Sequence, residues 1–280
     1  MGKYELIPMQ LKHEGIITDE QIIKPVPCQE DVILLTHTNE YWQRLINLQL
    51  TEREQRVSGF PLSDNLVKRE IVITQGTIDC ALHALENKVA LNVAGGTHHA
   101  YADRAEGFCL LNDFAVASNF LLNNKIVKRI LIVDLDVHQG NGTAVLFANT
   151  PSVFTFSMHG AHNYPFKKEK SDLDIPLKDG IVDDEYLALL SEHLPKLIDF
   201  HKPDLIFYLA GVDILETDKL GKLKVTEQGC RNRDEIVFEL CRKHQIPVAV
   251  SMGGGYSPLI KDIVNAHCNT FKAANEILLT

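Results

Sequence analysis

The chain has 280 residues, 45% of them apolar and 23% charged, with a net charge of −9 at neutral pH. That length suits one large α/β domain or two small ones. The acidic balance excludes a general attraction to nucleic acid or anionic membrane, while a lysine-rich protein partner is compatible with it.

Residues 4–13 can form a short amphipathic helix, and each proline of Lys24-Pro-Val-Pro27 disfavours helix before it, giving an extended connector. A helix is expected over 39–50, then a capping box from Thr51 to Glu54, then a long helix over 66–86 that continues through Gly76. Strand and helix then alternate. A strand at 89–94 ends in Gly95-Gly96-Thr97-His98-His99, a helix spans 113–123, and an apolar strand at 130–135 runs into Asp136-Val-His138. A strand at 152–157 leads into a polar, aromatic loop, and a helix at 183–200 contains Pro195, a kink site. A strand at 204–209 ends in Ala210-Gly-Val-Asp213. A helix at 226–244 precedes a strand at 246–251 ending in Gly253-Gly-Gly-Tyr256, and a helix over 258–278 closes the chain. This order implies right-handed βαβ units and a mainly parallel sheet in an open three-layer α/β/α arrangement. The six cysteines form no Cys-x-x-Cys pair, which fits a reducing cytoplasm, and no apolar run reaches the length of a membrane span.

Side chains alternate along a strand, so Asp134, Asp136 and His138 would share one face if the strand stays extended that far. Two carboxylates and an imidazole cannot be buried cheaply as a bare cluster, and a divalent cation would resolve this. Alone, tandem histidines fit a surface loop, Asp213 a cap, and three glycines a flexible turn. All of them falling at the carboxyl ends of parallel strands, where ligands bind, indicates one active site. Asp136, His138 and Asp213 make a three-ligand oxygen/nitrogen set with a position left open, the pattern of catalytic zinc. The lack of a cysteine ligand leaves Fe(II), Mn(II) or Co(II) open. His98 and His99 can act as general base and then general acid, and Tyr256 can donate its O–H to an oxyanion. Gly254 and Gly255 let the backbone approach closely before that ring. The reaction class is metal-assisted hydrolysis of an amide.

Gly95-Gly-Thr-His-His-Ala100, Glu106-Gly-Phe-Cys-Leu-Leu-Asn-Asp113, Asp134-Leu-Asp-Val-His-Gln-Gly-Asn-Gly142, Ala210-Gly-Val-Asp-Ile-Leu215 and Gly253-Gly-Gly-Tyr256 together resemble the zinc-dependent histone deacetylase family. His138-Gln-Gly-Asn141, Asp213-Ile-Leu-Glu216 and Leu220-Gly-Lys-Leu223 are most similar to the class IV branch and its bacterial relatives. The resemblance implies an arginase/deacetylase-like domain over residues 1–280. It implies Zn2+, with Fe2+ an alternative, on Asp136, His138 and Asp213. It makes His99 the acid/base, His98 its electrostatic partner hydrogen-bonded to Asp134, and Tyr256 the group that binds the substrate carbonyl. Gly107 and Phe108 would line an acyl-lysine tunnel, with Tyr164 at its rim. A structural K+ would lie among Asp134, Asp136, His138, Ser157 and Met158, mostly on backbone oxygens. The implied activity is removal of acetyl or longer fatty acyl groups from lysine in a peptide or protein. A small acylated amine such as an acetylpolyamine is the rival substrate, and a non-catalytic acyl-lysine binder the rival of another kind.

Two departures stand out. Most classes carry Asp behind the second histidine where this chain has Asn141, an amide that can orient His99 but brings no negative charge. The family's bacterial members also begin earlier, with a strand before the Lys-Tyr-Glu-Leu stretch, so a short N-terminal strand segment is expected to be missing. His159 and His162 are expected to be rim contacts or solvated, Phe166 to pack at the rim, and Lys167, Lys168 and Lys170 to form a solvated charge run. The histidines at 83, 193, 201, 244 and 267 are expected to be ordinary helix-side residues.

Overall fold

Alternate residues of the central strands face different helical layers. The computed structural model describes residues 2–280. Before the first strand come Lys3–His13 (α1), Glu30–Ile33 (α2), Asn39–Ile46 (α3), Glu52–Ser58 (α4) and Asp64–Asn87 (α5). Then follow Val89–Asn92 (β1), Asp113–Asn123 (α6), Ile130–Asp134 (β2), Asn141–Phe147 (α7), Val153–Gly160 (β3) and Leu173–Leu177 (β4). Asp183–His201 (α8), Leu205–Leu209 (β5), Glu227–His244 (α9), Val248–Ser251 (β6) and Ile260–Ala274 (α10) complete the domain. The strand order is β1-β6-β5-β2-β3-β4, and every pairing is parallel.

Leu131, Val133, Ile206 and Tyr208 pack with α8, α9 and α10, while Ile130, Ile132, Leu205 and Phe207 pack with α3, α5 and α6. Both faces are therefore covered, which is why β2, β5 and β6 read as near-continuous apolar runs, polar only at the last residue of β2 and β6, rather than alternating ones. The expected three-layer α/β/α fold is present, with a sheet that is wholly rather than mainly parallel.

Three expectations need correction. β4 was expected as loop; its sequence, Leu-Asp-Ile-Pro-Leu, is half-exposed and carries Pro176, which only an edge strand tolerates. β3 continues through Met158 and His159 to Gly160, because pairing with β4 extends the ladder. β2 ends at Asp134 and the chain bends over Asp136–His138, so the three polar side chains do not share a strand face. They converge because the turn folds back, as the buried carboxylates capture its backbone N–H groups.

Local chemistry explains the other boundaries. Thr51 caps α4 as expected: its hydroxyl accepts from Glu54 N, and Glu54 Oε2 accepts from Thr51 N at 2.8 Å. Thr51→Ala should lower stability by about 1 kcal/mol in urea unfolding; an unchanged midpoint would show that α4 contributes nothing to the cooperative unit. α8 passes through Pro195 without a break, and α3 stops at Ile46 before Leu48, whose φ is +56°. No helix among the described residues is long and apolar enough to cross a membrane.

Candidate active site

β2 and β5 are neighbours, yet the chain leaves β2 toward β3 and leaves β5 toward β6, on opposite sides. That reversal is a topological switch point, where a crevice opens beyond the carboxyl ends of the strands. Asp136 and His138 follow β2, Asp213 follows β5, and one ligand atom from each lies within 4.8 Å of the others. His138 Nδ1 is 3.0 Å from Asp136 Oδ1 and 3.1 Å from Asp213 Oδ2. Both carboxylates are held by backbone: Val137 N donates to Asp213 at 3.0 Å, and Gly254 N donates to Asp136 at 2.8 Å. A side chain at Gly254 would collide with Asp213, its Cβ falling 2.0 Å from Oδ2, so only glycine lets these strand ends meet.

The cluster's electrostatics call for a cation. Burial and the neighbouring Asp136 push the Asp213 carboxyl above its usual range. Burial opposes charge on His138 too, but its bonds to Asp136 and Asp213 carry its pKa up to about 10. Burial likewise opposes ionisation of Asp136, yet His138 and His98 hold it well below the usual value. Two buried carboxylates are thus gathered around one imidazole. The donor set and its burial fit a divalent metal.

The tandem histidines are clamped from beneath. Asp113 accepts from Gly96 N at 2.9 Å and Thr97 N at 2.8 Å, and Asn112 Nδ2 donates to Ala100 O at 3.1 Å. His98 Nδ1 donates to Asp134 Oδ2 at 2.7 Å, and His99 Nδ1 donates to Asn141 Oδ1 at 2.6 Å. The Asn141 amide cannot be turned round, because its Nδ2 donates to Glu106 Oε1 at 2.8 Å and to Tyr101 Oη at 3.0 Å. This fixes the proton of neutral His99 on Nδ1 and leaves Nε2 as a lone pair. The two rings sit 4.1 Å apart and titrate in opposite directions. Burial lowers His99 well below the ordinary value, with His98 and His138 adding to it. Burial opposes charge on His98 as well, but Asp134 outweighs it and raises the pKa. Asn141 brings no charge of its own, yet Glu106 stands directly behind it.

The Gly253-Gly-Gly-Tyr256 turn is tied down by Asp218, which accepts from Tyr256 N at 2.6 Å and from Leu220 N and Gly221 N at 2.8 Å each. The Tyr256 ring stands edge-on to His138 at 6.4 Å and near Phe108 at 6.3 Å. Behind the site, fully buried Arg233 donates to Gly211 O at 2.5 Å and Leu135 O at 3.4 Å, tying together the two chain segments that carry the acidic pair. Its counter-ion is the buried Asp234, which also accepts from Thr270 Oγ at 2.7 Å and from Tyr208 Oη.

A cavity of about 800 Å3 connects the surface to this site. Phe108 and Tyr164 frame its mouth, with Tyr164 edge-on to His99 at 5.1 Å and donating to Glu106 at 2.8 Å. Gly107 lies against the His99 ring at φ +53°, where a Cβ would fall 2.6 Å from the ring. Phe166 was expected to pack at the rim, but its ring is 90% exposed there. His159 is neither rim nor solvated: it is buried in β3, with Nδ1 2.9 Å from Ser157 Oγ. Lys168 is no solvated charge, since its ammonium donates to Asn163 O at 2.5 Å and Pro165 O at 2.7 Å and pins the rim loop. Nor is His267 ordinary: it is fully buried and neither ring nitrogen has a partner. In the expected K+ set, Asp134 and Ser157 are register neighbours and Met158 is buried beside them.

The family model for the histone deacetylase domain matches residues 1–271. The chain belongs to the histone deacetylase family. It is similar to an uncharacterised protein of Picosynechococcus, with 43% identity over 99% of this chain and 92% of that one. It is 31% identical to histone deacetylase 2 of Arabidopsis thaliana over 88% of this chain and 66% of the relative. The crystal structure of a histone deacetylase homologue from Aquifex aeolicus superposes with a TM-score of 0.83 at 26% identity, over 98% of this chain and 82% of that one. A complex of such a homologue with the compound SAHA gives 0.82, over 98% and 81%. The deacetylase-family fold and the buried Asp-His-Asp group go with a metal-using amide hydrolase.

Several residues that shape this deacetylase-family site escaped the sequence reading. Asp218 and Arg233 lay in stretches read only as loop and helix. Glu106 stood inside a recognised motif, but nothing local shows that its carboxylate meets Asn141 and Tyr164. Lys3 is the most remote: its ammonium reaches Gly253 O at 2.8 Å from the other end of the sequence.

Proposed function

We propose that this protein hydrolyses acyl-lysine amides, with Asp136, His138 and Asp213 holding Zn2+, or Fe2+ as the alternative. The observation that carries the reading is the lone pair on His99 Nε2, fixed by Asn141 and set beside a buried three-ligand group. The bound cation would polarise the amide carbonyl and lower the pKa of a water. His99 takes a proton from the attacking water as its oxygen adds to the acyl carbon, and delivers it to the lysine nitrogen as the C–N bond breaks. Asp134 raises the His98 pKa, and the neighbouring His98 lowers that of His99, which favours neutral His99 until that moment. Tyr256 donates its hydroxyl to the oxyanion; burial, with the charges of Asp213 and Asp136, raises its pKa so that it remains protonated. Phe108, Gly107 and Tyr164 guide the lysine stem, and Gly254 and Gly255 bring the turn close to the reacting carbon.

We also assign a structural K+ to Asp134, Asp136, His138, Ser157 and Met158, the class IV branch as the nearest subgroup, and the cytoplasm as the setting that fits six free thiols. Exposed Arg56 and Lys222 at the mouth argue against a polycationic amine as substrate.

The test is hydrolysis of an acetyl-lysine peptide with metal present and with chelator added. Chelator-sensitive turnover is expected, and metal-independent turnover would refute the mechanism. The pH profile gives a sharper check. Asn141→Asp places a carboxylate where an amide oxygen now sits 2.6 Å from His99 Nδ1. That raises the His99 pKa, so the acidic limb of kcat/KM should move to higher pH. A limb that stays in place would mean that His99 is not the base.

A further inference from the structure

The cavity does not end at the proposed metal site. It continues past Asp136 and His138 to a chamber lined by Lys3, Tyr4, Arg69, Glu70 and Ile73. A lysine substrate entering between Phe108 and Tyr164, with its carbonyl beside Tyr256, would point the rest of its acyl group toward this chamber. The chamber is poorly suited to a plain hydrocarbon. Lys3 is 9% exposed, and its ammonium donates one hydrogen bond, to Gly253 O at 2.8 Å. Its remaining N–H groups have no partner among the described residues. Arg69 faces Glu70 at 3.2 Å, and burial raises the Glu70 carboxyl to about 7, so that pair leaves Lys3 without a counter-charge in contact with its ammonium. Both cations flank the Tyr4 ring, at 5.4 Å for Lys3 and 5.2 Å for Arg69. Burial lowers the Lys3 pKa to about 8, against the pull of Asp213, Asp136 and Asp218.

An empty chamber would hydrate these donors. An apolar chain that displaced the water would leave a buried ammonium short of partners, whereas a carboxylate at the chain's far end would supply them. We propose that the chamber selects acyl groups ending in a carboxylate, such as glutaryl, over apolar chains of equal length. The inference rests on the acyl-lysine reading above and adds an anionic preference to its acyl range of acetyl or longer fatty acyl groups. Glu70 is the group that limits it, and its pairing with Arg69 keeps it from repelling the incoming anion.

The experiment uses the metal-loaded full chain and three peptides carrying acetyl-, pentanoyl- or glutaryl-lysine. Glutaryl should exceed pentanoyl in kcat/KM by at least about tenfold, an energy difference of roughly 1.4 kcal/mol. Lys3→Met should collapse that ratio. Arg69→Gln, at a partly exposed and therefore more tolerant position, should reduce it in the same direction. Equal rates, a pentanoyl preference, or a ratio unmoved in both variants would overturn the inference while leaving the deacylase reading intact. Turnover of none of the three peptides would remove that reading, and this inference with it.

Discussion

Asp213→Asn should lower metal affinity by more than about 100-fold, beyond the 10- to 100-fold typical of losing an outer partner, and should reduce hydrolysis to background. The same change should leave the metal-free protein as stable as the parent or more so. The two effects have opposite signs because a buried carboxylate serves the bound state at the expense of the empty one. Without a cation, burial and Asp136 raise the Asp213 pKa, so the folded state holds a proton that the unfolded chain releases near 3.8. Stability of the metal-free protein therefore falls as pH rises through that interval. His138 acts in the same direction: its pKa rises from 6.5 to about 10, so its contribution is complete below 6.5 and is lost as pH climbs through 10. The metal-free parent should thus weaken from mildly acidic to alkaline pH, and metal should restore it. Asparagine removes the Asp213 part of that slope and keeps an oxygen to accept from Val137 N. Chemical denaturation across pH, with and without metal, separates the two signs. A variant that binds metal normally would exclude Asp213 as a ligand.

Arg233→Met should cost about 3–5 kcal/mol, the range for breaking a buried ion pair by removing one partner. That is a large share of the roughly 5–15 kcal/mol stability of a typical domain. Asp234 would remain as a buried carboxylate with only the hydroxyls of Tyr208 and Thr270, and the carbonyls of Gly211 and Leu135 would lose their donor. Because those carbonyls precede the segments bearing Asp136 and Asp213, metal affinity should fall together with stability. Adding Asp234→Asn should recover much of the stability by removing the stranded charge, but not the affinity, since the carbonyl contacts stay lost. Calorimetry and metal competition on the single and double variants check both halves. A single variant within 0.5 kcal/mol of the parent would show that the network is not what holds these segments.

The alternation of apolar strands and amphipathic helices made the fold legible, because strands covered on both faces have few other ways to be apolar throughout. β4 was hidden for the complementary reason. At an edge it is half-wet, and Pro176 is tolerated there because one ladder is missing. Four of the site's five motifs were legible because each follows a strand end, a position that periodicity locates. What could not be read was how Asp134, Asp136 and His138 come together. Strand alternation predicted a common side, but a bend does it, stabilised by N–H groups that come partly from another strand end. Arg233, Asp218 and Glu106 were out of reach for a related reason. Each is an ordinary polar residue locally, and its importance comes from partners that only the folded chain supplies.

Lys3 touches Gly253 across 250 positions, and α1 rests on α10. Gly253 and α10 both follow β6, which lies between β1 and β5. A contact between residues so far apart in sequence carries a high loop-closure entropy, and it forms late unless the intervening structure has already brought its ends together. Order of assembly thereby becomes a safeguard. The acidic cluster can meet metal as soon as β2 and β5 pair, but the chamber behind it gains its cation only when α1 and α10 dock. A partly folded molecule would carry the ligands for chemistry without the floor that selects what is acted on.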